Sequence, residues 1–287
     1  MIIDVHNHPD WGGYTMKKII ENMDKNHIDK TWILSWECPA DEYDPSYLPG
    51  TPDPDFADGP ISFRRCAEYV QNAPERFIAG YAPDPRRPNA IERLKRMMGL
   101  YGVKVYGELK LRMMYDDWDA VRLYRFCGEN GLPVVVHIDY EIPWEKGYYP
   151  RPNWWYGGGI EAFERAVAAC PETFFIGHAP GFWAHISNDD KYLTIAYPEG
   201  KVAPGGKLPD MLRRYKNLYC DISANSGLNA FKRDPAFAAE FIDEFQDRIL
   251  YGRDSMENNH QEFINGMALP ASVTDKIYYK NAIKLIG

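Results

Sequence analysis

Short apolar segments alternate with longer amphipathic stretches along the whole chain. Eight segments are rich in β-branched and aromatic residues and have the length of strands: 2–6, 31–36, 77–82, 102–108, 133–138, 174–178, 218–222 and 249–251. Between and after them, apolar residues recur every three or four positions, which is typical of helices, over 15–26, 61–72, 90–98, 118–130, 160–169, 207–215, 235–245 and 271–286.

This alternation predicts the α/β class. Several strand segments are continuous apolar runs, as expected for a parallel sheet whose outer face is covered by helices. Eight strand–helix units favour a (β/α)8 TIM barrel, and the chain length suits one such domain, which commonly has about 250 residues. We therefore expect a single barrel domain over residues 1–287. The alternative, a doubly wound open sheet, lacks the GxGxxG turn after its first strand.

Three predicted connections are long. They cover 37–60, 140–159 and 179–206, after the second, fifth and sixth strands. In a barrel they all lie over the same face, where loops of this length usually form lids or binding walls. The second contains an aromatic cluster, namely Trp144, Tyr148, Tyr149, Trp154, Trp155 and Tyr156. This cluster suits stacking on a sugar or aromatic ring, packing within a lid, or a subunit contact.

The composition narrows the class of partner. The net charge is −8 and no Lys/Arg tract occurs, which excludes a generic nucleic-acid binder but not a small-molecule substrate held by one or two basic residues. The five cysteines are scattered and form no CxxC, so we expect reduced thiols. No signal-peptide pattern or membrane-length apolar run occurs, so we expect a cytoplasmic protein without a membrane partner. The sequence does not decide whether the protein forms a homo-oligomer.

Metal-binding residue types mark the ends of the predicted strands. His6 and His8 follow the first apolar run at i, i+2, so they project from the same side of a strand. His137, His178 and Asp254 stand where the fifth, sixth and eighth strands end. In a barrel these ends meet on the face that carries active sites. Imidazole and carboxylate ligands suit zinc and related ions, so the pattern predicts a divalent-metal site.

Further motifs accompany this ligand pattern: Gly102-Val103-Lys104, Gly131-Leu132-Pro133-Val134, Gly177-His178 and Asn281-Ala282. Together they resemble the amidohydrolase superfamily and, within it, the amidohydrolase-2 group, which includes aminocarboxymuconate-semialdehyde decarboxylase. The resemblance covers nearly the whole chain. It implies a metal held by His6, His8, His137 and Asp254, with Zn²⁺ expected and Mn²⁺ as the alternative. It also implies Asp254 as the general base and His178 as the group that polarises the substrate or contacts a second metal.

Glu108 ends the fourth strand segment and departs from a simple one-metal pattern. Other branches of the superfamily bridge two metals with a Glu or a carboxylated Lys from this strand. The resemblance therefore leaves three roles open for Glu108: a second-metal ligand, a substrate contact, or an ion-pair partner of Lys104 or Lys110. We expect one ion rather than two. Lys104 has the same strand parity as Glu108 and is expected to be a substrate-binding or structural charge.

The other candidates for substrate binding lie at strand ends or in the aromatic loop: Trp36, Tyr140, Trp155 and Arg253. Trp36 is placed to form the floor of a pocket. Arg253 either holds a substrate carboxylate through two hydrogen bonds or forms a structural ion pair. Asp221 and Ser223 follow the seventh strand and either contact substrate or hydrogen-bond a metal ligand. Three histidines at loop or helix-end positions are not expected to be ligands: His27, His185 and His260.

These features favour a metal-dependent hydrolase that cleaves a C–O or C–N bond of a small ring-containing lactone, ester or amide. The aromatic loop suits a neutral ring. The alternative is a metal-dependent non-oxidative decarboxylase, which a basic clamp from Arg253 or Lys104 beside the metal would favour. A catalytically silent binding barrel is the third hypothesis, and the complete ligand set argues against it.

Overall fold

The computed structural model describes residues 1–43, 59–139 and 156–287. These residues form the strands β1 Ile3–Asn7, β2 Lys30–Leu34, β3 Phe77–Gly80, β4 Tyr106–Leu109, β5 Val134–His137, β6 Phe175–His178, β7 Leu218–Asp221 and β8 Ile249–Leu250. The helices are α1 Met16–Lys25, α2 Phe63–Asn72, α3 Ala90–Tyr101, α4 Trp118–Glu129, α5 Gly159–Ala169, α6 Pro180–Trp183, α7 Lys207–Arg214, α8 Ala224–Lys232, α9 Pro235–Phe245, α10 Asn259–Gly266, α11 Ala271–Asp275 and α12 Asn281–Ile286. Tyr140 and Trp155, with most of the predicted aromatic cluster, lie outside the described residues.

The strands are parallel and follow one another in chain order around a barrel. Hydrogen-bonded neighbours run β1-β2-β3 and β4-β5-β6-β7-β8. A parallel bridge between Gly80 and Val105 joins the two sets. The Val5 amide donates to the Tyr251 carbonyl at 3.0 Å, which brings the end of β8 against β1. A parallel sheet closed in this order, with helices between its strands, is a TIM barrel, so the predicted fold class is confirmed.

The apolar residues form an inner and an outer layer. The inner cluster takes residues from around the whole barrel: Ile3, Val5, Trp32, Leu34, Val105, Val135, Ile176, Tyr219 and Leu250. A larger cluster packs the strands against the surrounding helices. Because side chains alternate across a strand, the position two residues after an inner residue faces the same side. This spacing places His137, His178 and Asp221 at the carboxyl end of the barrel interior.

Two strands depart from this alternation, and both carry residues of the candidate site. The pairing register shifts within β1 and again within β4. Simple alternation from Val5 and Val105 would turn His6 and Glu108 outward, because each lies an odd number of residues further along. Local irregularities of this kind redirect a side chain at the end of a strand. They allow both side chains to join the interior cluster.

Three helical predictions need correction. Helix α8 has no predicted counterpart, because its sequence, ANSGLNAFK, contains Asn, Ser and Gly, which have low helix propensity. Helix α10 occupies a predicted loop, so His260 lies on a helix. The single helix predicted over 271–286 consists of α11, a π-helical turn at Lys276–Lys280 and α12. Among the described helices, none has the length and apolar character needed to cross a bilayer.

Candidate metal centre

Four histidines surround one carboxylate at the carboxyl end of the barrel. The Nε2 atoms of His6 and His178 each lie 3.7 Å from Glu108 Oε1, and His8 Nε2 lies 3.4 Å from Oε2. His137 Nδ1 contacts Glu108 Oε1 at 2.7 Å. All five side chains are buried. Strands β1, β4, β5 and β6 thus bring their polar side chains to one point.

Asp254 completes the cluster from the end of β8. Its Oδ1 lies 3.6 Å from His8 Nε2, and its Oδ2 lies 3.8 Å from His178 Nε2. Two groups have ligand atoms mutually close enough for one ion: His6 with His8 and Asp254, and Glu108 with His137 and His178. A third such group contains His6, His178 and Asp221.

Asp221, at the end of β7, orients two of the imidazoles. Its Oδ2 accepts from His6 Nδ1 at 2.9 Å, and its Oδ1 accepts from His178 Nδ1 at 3.0 Å. The Ser223 hydroxyl donates to the same Oδ1 at 2.5 Å. A carboxylate only accepts hydrogen bonds, so Nδ1 carries the proton in both rings. Each neutral ring therefore keeps its lone pair on Nε2.

The same tautomer follows for two other rings. His8 Nδ1 lies 2.9 Å from the Leu34 carbonyl oxygen, which also only accepts. His137 donates from Nδ1 to Glu108. Within the described part of the chain, Nε2 of His6, His137 and His178 is buried without a hydrogen-bond partner. Because buried polar atoms are normally paired, converging unpaired lone pairs fit a metal ion.

The carboxylates stabilise positive charge within this cluster. Burial lowers the pKa of His6, but Asp221, Glu108 and Asp254 together raise that pKa by more, so the net shift is upward. Burial also lowers the pKa of His8, and Glu108, Asp254 and the hydrogen bond to Leu34 together reverse the shift. Without a metal ion, protons bound to the imidazoles would supply part of the positive charge. A divalent ion bound by the same side chains would supply that charge instead.

Glu108 and His137 differ in protonation at neutral pH. Burial raises the pKa of Glu108, but its contact with His137 and the other imidazoles brings that pKa well below its usual range. Burial and the nearby Lys110 ammonium lower the pKa of His137 to about 3. Glu108 is therefore ionised and His137 is neutral, which are the forms that bind metals.

Unusual backbone conformations surround the cluster. Ala179, Ala224 and Asp254 have φ values of 81°, 57° and 51°, a region that residues with a Cβ seldom occupy. In β6, a Cβ on Gly177 would lie 2.2 Å from the Phe182 ring, so glycine beside His178 lets α6 pack there. Strained positions held by surrounding structure tend to gather at functional sites, which agrees with this location.

A cavity of about 420 Å³ opens beside the histidines, a volume suited to a small ligand. The described residues that line it are His8, Trp11, Trp36, Glu108, Lys110, His137, His178, Pro180, Tyr197, Ala224, Asn225, Asp254, Ser255, Glu257 and His260. Trp36, one of the predicted substrate-binding residues, is in this wall. Its indole Nε1 donates to the Lys110 carbonyl at 2.8 Å. Aromatic, cationic and anionic groups therefore share one cavity with the cluster.

Two predicted substrate-binding cations lie elsewhere. Lys104 is exposed before β4 begins, at the opposite end of that strand from Glu108. The register shift within β4 removes the parity on which its prediction depended. Arg253 is fully buried, and its Nε donates to Asp4 Oδ2 at 2.8 Å while Nη1 donates to Asn22 at 2.7 Å. The carboxylate-clamp prediction for Arg253 is wrong, and the ion-pair alternative is correct.

Lys110 and His260 are among the cavity residues that were not singled out as site residues from the sequence. Lys110 lies two positions after Glu108, so continuing the strand parity beyond the strand end would have found it. His260 Nε2 donates to the Ala224 carbonyl at 2.8 Å. Nothing in the sequence next to His260 signals that α10 brings it to the cavity, because its position depends on the packing of α10 against α8.

We expect Asp221→Asn to weaken metal binding about 10–100-fold, because an amide cannot accept from both Nδ1 atoms and so loosens two imidazoles. The measurement is zinc affinity by competition with a chromophoric chelator. Asp210→Asn is the control, since its side chain is 52% exposed on α7. An unchanged affinity in folded Asp221→Asn protein would contradict the orienting role.

Comparison with known proteins identifies the family. The model of the Amidohydro_2 family, described as amidohydrolase, matches residues 3–287. Among curated proteins, none matches the chain significantly.

Solved structures show the same fold at low identity. An uncharacterised TIM-barrel protein from Bordetella bronchiseptica is 17% identical, with a TM-score of 0.63 over 99% of this chain and 97% of that chain. A dihydroxybenzoic acid decarboxylase from Polaromonas sp. JS666, with bound manganese and the inhibitor 2-nitroresorcinol, is 18% identical, with a TM-score of 0.56 over 93% and 84%. A probable 2-pyrone-4,6-dicarboxylic acid hydrolase from Acinetobacter baumannii, with citric acid bound, is 12% identical, with a TM-score of 0.60 over 100% and 99%. Because the family model extends over nearly the whole sequence, this chain belongs to the amidohydrolase family.

Proposed function

We propose that this protein is a metal-dependent hydrolase that cleaves a C–O or C–N bond in a small ring-containing lactone, ester or amide. His6, His8, His137 and Asp254 would hold one divalent ion, Zn²⁺ or Mn²⁺. The observation that carries the proposal is the convergence of buried Nε2 atoms that have no hydrogen-bond partner among the described residues. Their mixed nitrogen and oxygen donor set fits either ion.

When bound, such an ion supplies a Lewis acid that polarises a substrate carbonyl and makes water acidic enough to react near neutral pH. Asp254 would act as the general base, accepting the proton of the attacking water and giving it to the leaving group. Its Oδ1 is buried and has no hydrogen-bond partner among the described residues, so it is available for this proton transfer. The αL backbone at Asp254 turns the carboxylate from β8 toward the histidines.

His178 would have a role set by its protonation. In the neutral tautomer fixed by Asp221, Nε2 presents a lone pair and can serve as a ligand. With a second proton, Nε2 becomes a donor and can stabilise negative charge on a substrate oxygen. Asp221 supports both states, because it accepts the Nδ1 proton in each. Ser223 holds that carboxylate in place.

The cavity wall favours hydrolysis of a ring compound. Trp11, Trp36 and Tyr197 offer apolar ring faces near the cluster. Neither Arg253 nor Lys104, the cations expected to favour decarboxylation, reaches the cavity. Decarboxylation of a carboxylated ring remains the second candidate, because Lys110 contributes a cation to the cavity wall.

The reaction is tested by assaying metal-loaded protein against two matched substrate panels. Aromatic lactones, esters and amides are followed by product formation in ¹⁸O-labelled water, and hydroxybenzoates by CO₂ release. We expect one ¹⁸O atom in each product acid or hydroxy acid and no CO₂. CO₂ release without turnover of the first panel would establish the decarboxylase instead.

We expect the protein purified without chelators to carry about one equivalent of zinc or manganese, and His6→Ala to carry almost none. Loss of His6 removes one proposed ligand and also one of the two imidazoles that are hydrogen-bonded to Asp221. Elemental analysis measures both proteins. His185→Ala is the control, because His185 packs against Tyr192 with ring centroids 4.3 Å apart and is not among the cluster residues. Two equivalents would overturn the one-ion assignment and make Glu108 a bridging ligand.

A further inference from the structure

We propose that Trp11 is a positioning residue of the candidate metal centre, and that its indole fixes the main chain of Asp254 and the ring of His8 relative to each other. Trp11 follows His8 by three positions, in the connection between β1 and α1, and its half-buried side chain lines the cavity. The inference rests on the proposed function only in taking both residues as ligands and Asp254 as the base.

The Trp11 indole contacts residues from both ends of the sequence. Its Nε1 donates to the carbonyl of Asp254, which follows β8, at 3.0 Å. Its ring packs edge-to-face against the His8 imidazole, with ring centroids 5.1 Å apart and an interplanar angle of 60°. Aromatic pairs favour this arrangement and this separation. One rigid side chain therefore links a proposed ligand after β1 to the proposed base after β8.

The backbone of Asp254 has a conformation that needs such support. Its φ of 51° is one that residues with a Cβ seldom adopt, and it persists where the surroundings hold it. The His6 carbonyl holds the Asp254 amide at 2.8 Å, so the bond from Trp11 holds the other side of the same residue. Without that bond, the peptide group that follows Asp254 can rotate and displace the carboxylate.

Trp11 is itself presented from a fixed turn. The preceding residue, Asp10, is buried, and its Oδ2 accepts from Arg65 Nε and Nη2 at 2.8 and 2.6 Å. Its Oδ1 accepts from the Tyr69 hydroxyl at 3.0 Å, and its amide donates to the same hydroxyl oxygen at 3.0 Å. These contacts attach the turn to α2. The indole thus holds Asp254 from a preorganised support.

The position of the Asp254 carboxylate matters for both of its proposed roles. Its Oδ1 lies 3.6 Å from His8 Nε2, and its Oδ2 lies 3.8 Å from His178 Nε2, so a small rotation changes both separations. Residues that orient metal ligands typically contribute about 10–100-fold to metal affinity. Misplacing a reacting group by about 1 Å can reduce the rate about 100-fold. We therefore expect Trp11 to affect metal binding as well as turnover.

The test measures the zinc affinity of Trp11→Phe by competition with a chromophoric chelator. Phe keeps an aromatic ring beside His8 but has no donor for the Asp254 carbonyl. We expect zinc affinity to fall about tenfold, because the ligand carboxylate is less well oriented. We also expect a shift in the visible absorption spectrum of the cobalt-substituted protein, which reports ligand geometry. Trp118→Phe is the matched control, since this tryptophan is 70% exposed at the start of α4 and should leave both measurements unchanged.

A double-mutant cycle tests whether Trp11 acts through Asp254. In Asp254→Asn, the ligand oxygen that Trp11 positions is already weakened, so adding Trp11→Phe should lower zinc affinity less than about twofold. Equal losses in the wild-type and Asp254→Asn backgrounds would overturn the proposed route through Asp254.

A merely structural role for Trp11 predicts a different result. It would lower the melting temperature of Trp11→Phe but leave the zinc affinity and the cobalt spectrum of the folded protein unchanged, and that outcome would overturn the proposal. On a substrate found with the two panels, kcat should fall about tenfold or more while KM changes less than about threefold. A raised KM with unchanged kcat would also contradict the positioning role.

The failure of this inference can be distinguished from the failure of the proposed function. Reduced zinc affinity in Trp11→Phe, with no turnover of either panel by the wild type, would contradict the proposed function alone. Turnover by a zinc-loaded wild type, with zinc affinity and kcat unchanged in Trp11→Phe, would contradict the inference alone.

Discussion

Asp254→Asn is expected to reduce kcat about 10²–10⁴-fold, the range that general acid–base catalysis contributes. The amide keeps one oxygen near His8 but cannot accept and return a proton. Because the proposed base and the proposed ligand are the same side chain, the variant separates the two roles. An amide oxygen is a weaker ligand than a carboxylate, so the variant is assayed at saturating zinc, where its metal content should match that of the wild type while turnover falls.

The backbone at position 254 makes Asn the appropriate replacement. Asp254 has a φ of 51°, and Asn tolerates this left-handed conformation better than most residues. Two hydrogen bonds also hold the main chain of Asp254: its amide donates to the His6 carbonyl at 2.8 Å, and its carbonyl accepts from Trp11 Nε1 at 3.0 Å. The melting temperature should therefore change little.

The measurement is kcat of zinc-loaded Asp254→Asn on whichever substrate the panels identify, beside its metal content. Asp247→Asn serves as the control, because that side chain is 67% exposed and remote from the cavity. If Asp254→Asn retained more than about a tenth of wild-type kcat with full metal, another group would have to be the base.

Arg253→Met is expected to lower the free energy of unfolding by about 3–5 kcal/mol, the loss typical of removing one partner from a buried ion pair. Asp4 and Arg253 are both fully buried, and Nε of the guanidinium lies 2.8 Å from Asp4 Oδ2. Without Arg253, Asp4 remains as a buried carboxylate that has lost its cation. Met retains the apolar stem of the side chain without the guanidinium, so most of the loss comes from the missing charge.

Urea denaturation measures this loss. The control is Arg213→Met, whose ion pair with Glu244 is about half exposed on each side and should contribute at most about 1 kcal/mol. The double variant Asp4→Leu, Arg253→Met should recover part of the stability, because it leaves neither charge buried. A loss below about 1 kcal/mol for Arg253→Met would show that Asp4 is stabilised by its other hydrogen bonds.

The sequence specified the barrel well because its signals are local. Continuous apolar runs such as β5 Val134–His137 and β6 Phe175–His178 identify buried parallel strands by themselves. Helices with strong amphipathic patterns were found for the same reason. Helix α8 was missed because tertiary packing, rather than propensity, stabilises its Asn- and Gly-containing sequence.

The residues of the candidate site could be predicted where they directly follow a strand whose end is clear from the sequence. Residues directly after regular strands, such as His137 and His178, follow from alternation alone. Glu108 and Lys104 show the limit: they share parity in the sequence, but a register shift within β4 places one in the cluster and leaves the other exposed. A shift of this kind depends on pairing with β5, which no local pattern reveals. The commitment of Arg253 to Asp4 is equally invisible, since it joins residues from opposite ends of the chain.

The closure of the barrel between β1 and β8 has a consequence for synthesis of the protein. The Arg253 amide donates to the Asp4 side chain, 249 residues earlier in the chain. The Asp254 amide donates to the His6 carbonyl. During translation, the first histidines leave the ribosome long before the strand that must pair with them. Such a late contact is entropically costly and makes folding slow. In a nascent chain, Asp254 therefore cannot join His6 and His8 until β8 has emerged, so the candidate metal site is completed only late in synthesis.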